Sequence, residues 1–180
     1  MNPGDTIDIA GLAQLQEAMR QLAPKLQQNV MRAALRAGAK VIAVQAKAIA
    51  PVEGANTYSK YKVTLGWKPG ALEKSIRINA KIVGDTIVGR VMAGSKVAYY
   101  ANMVEKGTSA HWERPKGAKS LFIAGLYKEA VYHPGARANP FMKIALDSQA
   151  QKAAERVGEY IRGRLTKEGI EISDDGDNSI

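Results

Sequence analysis

The stretch HPGARANPFMKIAL, residues 133–146, decides how the end of the chain is built. Pro134 and Pro140 stand six residues apart with Gly135 between them, so neither a helix nor a central strand runs through, and the chain must turn. Beyond the turn the pattern becomes helical. Asn139 is a good N-cap and Pro140 suits the first helical position, where its missing N–H costs nothing. A helix is therefore predicted from here toward Leu165. Met142, Leu146, Ala150, Ala153, Val157, Ile161 and Leu165 form its apolar stripe, and Lys143, Asp147, Lys152, Glu155, Arg156, Glu159 and Arg162 face water.

Working back from that turn, residues 108–138 show turn chemistry at Pro115 to Gly117 and one predicted strand at Ser120 to Ile123. Val97 to Lys106 reads as a short helix stopped by Gly107. Before it, Ile76, Ile78, Ala80 and Ile82 alternate with Arg77, Asn79 and Lys81, the period of a half-buried strand. Gly84-Asp85 makes a two-residue hairpin turn, and Thr86 to Ala93 returns. Ala71 to Ser75, after Gly70, is a short turn.

At the N-terminal end, Ile9 to Leu22 is amphipathic, and Pro24 restarts a helix that runs from Lys25 to Ala50. That long helix carries two apolar stripes: Leu26, Val30, Ala33, Ala37, Val41, Val44 and Ala48, then Met31, Leu35, Ile42 and Ile49. At 100° per residue they lie about 130° apart, so the helix packs against two things. Two readings fit the second stripe: a helix sandwiched inside its own domain, or a subunit interface. Lys25, Arg32, Arg36, Lys40 and Lys47 fill an arc of about 80° on the remaining face. Pro51 ends the helix, and Val52 to Pro69 is a long connection with Tyr58, Tyr61 and Trp67, which either pack over the core or meet a partner.

The order of helices, strands and helix gives an α+β class: a small antiparallel β-sheet packed by a long N-terminal and a long C-terminal helix. At 180 residues the chain is expected to form one domain over 1–167. Residues 168–180 hold five acidic residues and no Lys or Arg, and are expected to form a disordered tail. The net charge of +9 thus hides a body with 26 basic and 12 acidic residues over 1–167. Such a body attracts nucleic acid or acidic protein surfaces.

With no cysteine, disulfides and thiolate metal sites are excluded. No run of about 18 apolar residues marks a membrane span, and Met1 to Leu12 lacks the regions of a signal peptide; a soluble, unprocessed chain is expected. No phosphate loop, GxGxxG, HExxH or GxSxG occurs. His111, Glu113 and His133 have the chemistry of zinc ligands, but their spacing fits no helical ligand pair. Acidic residues mostly neighbour Lys or Arg, as in Glu73-Lys74 and Lys128-Glu129, which is surface pairing. No zinc finger, RNP-type strand or helix-turn-helix spacing appears. Neither enzyme, cofactor nor sequence-specific nucleic-acid reader is expected.

Three patches, in order, are similar to a known family. Gly70-Ala71-Leu72-Glu73-Lys74-Ser75-Ile76 resembles its Gly-x-Leu-x-x-Ser-Ile lead into a first strand; Tyr99 to Thr108 resembles its YA…VE.GT signature, with Glu105, Gly107 and Thr108; and His133-Pro134-Gly135 with Pro140-Phe141 resembles its HPG…NPF loop. The family is the neck or tail-completion proteins of long-tailed phages, typified by gene product ten of a lambdoid siphophage. This resemblance implies a non-catalytic structural protein of the virion, part of the head-tail connector, made in the host cytoplasm. It implies a closed ring of the chain itself, sixfold or a multiple, between head-closure or adaptor proteins and tail-terminator or tail-tube proteins, with genome DNA passing through and no membrane. Within that reading, Glu105 caps a helix or bridges subunits. Met31, Leu35, Ile42, Ile49, Tyr58, Tyr61, Trp67, Glu105 and Trp112 are the candidate interface, and Lys25, Arg32, Arg36, Lys40 and Lys47 the candidate basic face, with basic residues meeting acidic neighbours or the DNA in the ring. The long loops, Val52 to Pro69 and Ser109 to Tyr132, and the acidic tail depart from the family pattern. The alternative is a basic, non-sequence-specific DNA-binding protein.

Overall fold

The computed structural model describes residues 9, 11–52, 69–84, 86–117, 119–123 and 125–170. Two long helices form its axis: α2, Pro24–Ile49, and α5, Phe141–Lys167, in the largest contact of the fold. They run antiparallel, since the start of α2 shares a core cluster with the end of α5 and the end of α2 shares one with the start of α5. Small residues set their approach. A Cβ at Gly38 would stand 2.6 Å from the Ala153 carbonyl oxygen and 2.6 Å from Val157 Cγ2. Ala34, Ala150 and Ala153, all buried, keep the two helices close.

The first cluster joins Val30, Ala34, Ile161 and Leu165 to Leu15, Met19 and Leu22. Leu15 and Met19 belong to α1, Leu12–Arg20, which is shorter than the amphipathic pattern from Ile9 to Leu22. The second cluster joins Ala43, Ala46 and Ala50 to Phe141 and Ala145, with Leu72 from α3, Ala71–Ser75, and Ala101 from α4, Ala101–Lys106. Because the second cluster approaches from another side, the buried face of α2 turns along its length, from Val30, Ala34 and Gly38 to Ala43, Ala46 and Ala50. The predicted stripe from Leu26 to Ala48 is therefore not one buried line, and Val44 and Ala48 are exposed.

β1, Arg77–Val83, and β2, Thr86–Met92, form an antiparallel hairpin in register from Arg77↔Met92 to Val83↔Thr86. The alternation holds as far as Ala80, whereas Ile82 is exposed. Ile78, Ala80, Gly89 and Val91 share the face toward α2, and Leu35 Cβ sits 3.3 Å from where a Cβ on Gly89 would stand.

The largest departure from the sequence pattern lies between Thr108 and Ala136. The sequence shows one strand there; the described residues hold four. β3, His111–Glu113, pairs with β6, Val131–His133, and β4, Leu121–Ile123, pairs with β5, Leu126–Lys128. An isolated bridge, Thr108↔Ala136, continues the β3–β6 register. The same two segments form both pairs, with only residues 129 and 130 separating β5 from β6, so β3–β6 and β4–β5 follow one another along one two-stranded arm. Among the described residues the antiparallel pairing of this α+β fold is thus divided among three two-stranded sheets.

Two helix boundaries also differ. The helix expected from Val97 begins at Ala101, after a turn at Tyr99 and Tyr100. α5 begins at Phe141, one residue later than predicted, with Pro140 as N-cap and no side-chain cap bond from that residue or from Asn139. Another group has taken that role.

Candidate functional site

The three family-like patches meet in space. Glu105, in the last turn of α4, reaches the first turn of α5: its carboxylate accepts hydrogen bonds from the backbone N–H groups of Met142, at 2.9 Å, and Lys143, at 3.0 Å. A carboxylate suits a helix N-terminus, where orphan N–H groups and the helix dipole both favour negative charge. The backbone N–H of Asn139 donates to the Val104 carbonyl at 2.8 Å. Thr108 and Ala136 exchange backbone hydrogen bonds of 2.9 and 3.1 Å, and Thr108 Oγ1 accepts a further one from the Ala136 N–H at 2.9 Å. The arm is therefore rooted against the start of α5.

Glycine is required at this root. Gly107, at φ 72, would place a Cβ 2.6 Å from the Ala136 carbonyl oxygen, and Gly135, at φ 88, would drive one into the Thr108 carbonyl. Gly70, at φ 73, leads into α3, where buried Ser75 donates to the Leu72 carbonyl at 2.6 Å and accepts from the Gly94 N–H at 2.9 Å. Leu72 and Phe141 are both buried in the second cluster. Pro134 and Gly135 lie between β6 and the Thr108↔Ala136 bridge, on the same register, so the chain runs on here instead of turning as the sequence suggests.

On the arm, cross-strand pairing places like with like. His111 and His133 stack with ring centroids 5.3 Å apart, Trp112 meets Tyr132 edge-on at 5.3 Å, and Phe122 tilts against Tyr127 at 5.0 Å. All six side chains are exposed. The two histidines are engaged locally: His133 Nδ1 accepts from the Gly135 N–H, and His111 Nδ1 lies 2.9 Å from the Ser109 carbonyl, with Glu113 3.8 Å from its Nε2. Among the described residues no three His, Asp or Glu side chains group so as to hold a metal ion. The arm's chemistry is that of a contact surface.

The other predicted residues scatter. Met31, Leu35, Ile42 and Ile49 are half-buried; Leu35 lies under Gly89, Met31 borders the first cluster, and Ile42 and Ile49 border the second beside Ile78 and Val91. The structure brings this stripe against the chain's own hairpin. Trp112 stands apart on the arm, and Tyr99, exposed, packs edge-on to Tyr100 at 5.9 Å. Tyr58, Tyr61 and Trp67 lie outside the described residues, as does the tail after residue 170. Lys25, Arg36, Lys40 and Lys47 are exposed along α2 and Arg32 is half-buried; among the described residues none of the five forms an ion pair.

One feature was not singled out from the sequence. Among the described residues an apolar groove of ≈ 600 Å³ opens between α2, α5 and β2, lined by Ile9, Leu35, Ile42, Val91, Leu146 and Val157, with Glu105 and Lys143 also in its lining. Lys143 bonds Asp147 one turn on, which raises the lysine's pKa and lowers that of the aspartate. Leu146, assigned to the buried stripe, is instead exposed at this groove.

A family model describing bacteriophage HK97-gp10-like tail components matches residues 13–107. The chain belongs to this family. The match runs from within α1 through α4, takes in the first patch and all of the second but Thr108, and ends at Gly107, where the arm begins. No curated protein and no solved structure matches. This tail component has no helix long and apolar enough to cross a membrane among its described residues.

Proposed function

We propose that this phage tail component acts in the head-tail connector as a neck or tail-completion protein, assembling with copies of itself into a closed ring and doing no chemistry of its own. The observation that carries the reading is the arm. Four large aromatic side chains are exposed on a ribbon that is hydrogen-bonded to the body at its root and, among the described residues, packs against little of it. Large exposed apolar patches on a folded chain mark protein contacts, and a patch confined to a projecting arm suits a head-to-tail contact, which closes into a ring when its rotation permits. The neighbours would be head-closure or adaptor proteins on one side and tail-terminator or tail-tube proteins on the other, and assembly would take place in the host cytoplasm. Mass photometry of the purified chain, alone and with tails, tests this. Discrete oligomers are expected; a strict monomer at all concentrations, also with tails present, would rule the ring out.

The basic face of α2, which forms no ion pair among the described residues, supports a second reading, contact with DNA, either genome passing through the ring or DNA bound by the free chain. Titration of duplex DNA at about 50 and 200 mM salt separates the two. Affinity lost by orders of magnitude over that range is backbone attraction alone, whereas tight binding that survives it would favour a dedicated DNA-binding protein.

A further inference from the structure

We propose that the groove between α2, α5 and β2 is the seat of the aromatic arm of a second copy of this chain, so that arm-in-groove contact is the joint between neighbours. The inference rests on the self-assembly reading above and names the surfaces that carry it.

The arm supplies one unmet apolar surface. Trp112, Phe122, Tyr127 and Tyr132 are 61 %, 64 %, 77 % and 54 % exposed. At about 200 Å² per aromatic side chain they present on the order of 500 Å². That is more than half of the roughly 800 Å² per partner that a stable interface buries, and Leu126, also exposed at the tip, adds to it.

The groove supplies the other. Its lining is aliphatic, and the two charged groups in it are already engaged, Glu105 with the N–H groups of α5 and Lys143 with Asp147. An incoming ring therefore strips water from apolar surface without stranding a free charge, the condition under which burial is favourable. The chain's own arm does not fill this groove, since its tip side chains are exposed and the ribbon has only marginal contact with the body. A donor surface and a different acceptor surface on one chain define a heterologous joint, which propagates until it closes.

The absence of cysteine makes a direct test clean. Tyr127→Cys and Leu146→Cys variants are purified separately, mixed and oxidised gently. The expected product is the disulfide between the two different variants, exceeding either symmetrical dimer by roughly tenfold because docking raises the effective concentration of that pair alone. Phe122→Cys paired with Leu146→Cys repeats the measurement from the other side of the tip. A benzophenone on Leu146→Cys, mapped by mass spectrometry in assembled material, should label residues 121–133 of another copy. Oligomers that form without these cross-links overturn the arm-in-groove joint and leave the ring standing; a chain that never assembles overturns both. Labelling of residues 1–8, of the chain's own arm, or only of another virion protein also overturns it. Finally, Phe122→Asp with Tyr127→Asp should leave far-UV circular dichroism and Tm unchanged and abolish assembly; retained assembly refutes the proposal.

Discussion

Replacing Glu105 isolates the contact that ties the end of α4 to the start of α5. In Glu105→Ala the Met142 and Lys143 N–H groups lose their acceptor, and nothing in the helix's own N-cap replaces it, because Pro140 and Asn139 make no side-chain cap bond. Loss of a side-chain cap costs about 1 kcal/mol, and loss of a carboxylate at a helix N-terminus about 0.3–1 kcal/mol more. Two charge-assisted bonds taken at face value would give more, but Glu105 is only half-buried and water can follow the deletion. The expected loss is about 2 kcal/mol, which lowers Tm by about 4–8 °C in a chain of this size. Glu105→Gln keeps one acceptor and loses the charge, so it should fall about midway. Thermal unfolding followed by circular dichroism reads the global effect, and amide hydrogen exchange locates it. Protection should drop at Met142 and Lys143 and hold near Ile161. An Ala variant melting within about 1 °C of the parent, or protection lost evenly along α5, would refute the capping argument.

Gly38→Ala gains helix propensity worth about 1 kcal/mol, yet its methyl would meet Ala153 and Val157 at 2.6 Å. A net loss of about 1–3 kcal/mol in urea unfolding is expected, and a more stable variant would mean the helices are farther apart. Gly107→Ala and Gly135→Ala each combine a left-handed backbone with a collision against the opposite strand, so each should cost about 2–3 kcal/mol or more. Their double variant should cost less than the two together, because both distort one crossing; Gly117→Ala, with open space around it, serves as the mild control. Leu35→Asp should cost about 2–4 kcal/mol in the isolated monomer by placing a charge under β2. A fully stable monomer carrying Asp at this position would instead make Leu35 an outer surface.

The β1–β2 hairpin is legible because one of its faces packs on α2 and the other does not, so Ile78 and Ala80 alternate with polar residues, while Ile82 beyond them keeps the period without being covered. The arm has no such face. With His111, Trp112 and Glu113 all exposed, burial imposes no period on its strands. The readable signal there was a different one: aromatic residues at 112, 122, 127 and 132 around Gly125, which pair off as two cross-strand contacts. The assignment of Asn139 as N-cap failed for a related reason. Local sequence scores only neighbours, and the cap comes from Glu105, far away along the chain. Capping by Glu105 was anticipated as one of two roles, but the helix that receives it became visible only in the fold. Likewise the stripes through Val44 on α2 and Leu146 on α5 have the right period, and only the neighbours decide how much of each is covered.

That geometry makes assembly more sensitive than stability to changes at the arm's root. Residues 126–135 return along the arm from tip to root, and at about 3.3 Å per residue a lever of that length spans roughly 30 Å. A rotation of about 10° at the Thr108–Ala136 crossing then moves Phe122 and Tyr127 by about 5 Å, the spacing of neighbouring strands. The body tolerates such a rotation, since Phe141, Leu72 and Ala101 stay packed on the far side of the root. A neighbour's groove does not, because the displaced rings no longer meet it. Gly135→Ala, held well below its own Tm, should therefore remain folded by circular dichroism while its oligomer fraction in mass photometry falls by roughly tenfold or more, as an unfavourable shift of about 1.4 kcal/mol per joint requires. Gly38→Ala, which strains the α2–α5 contact away from the root, should show the reverse, with a lower Tm and assembly retained. If both variants lose assembly in proportion to their loss of stability, the root does not aim the arm, and these glycines serve the folding of the monomer alone.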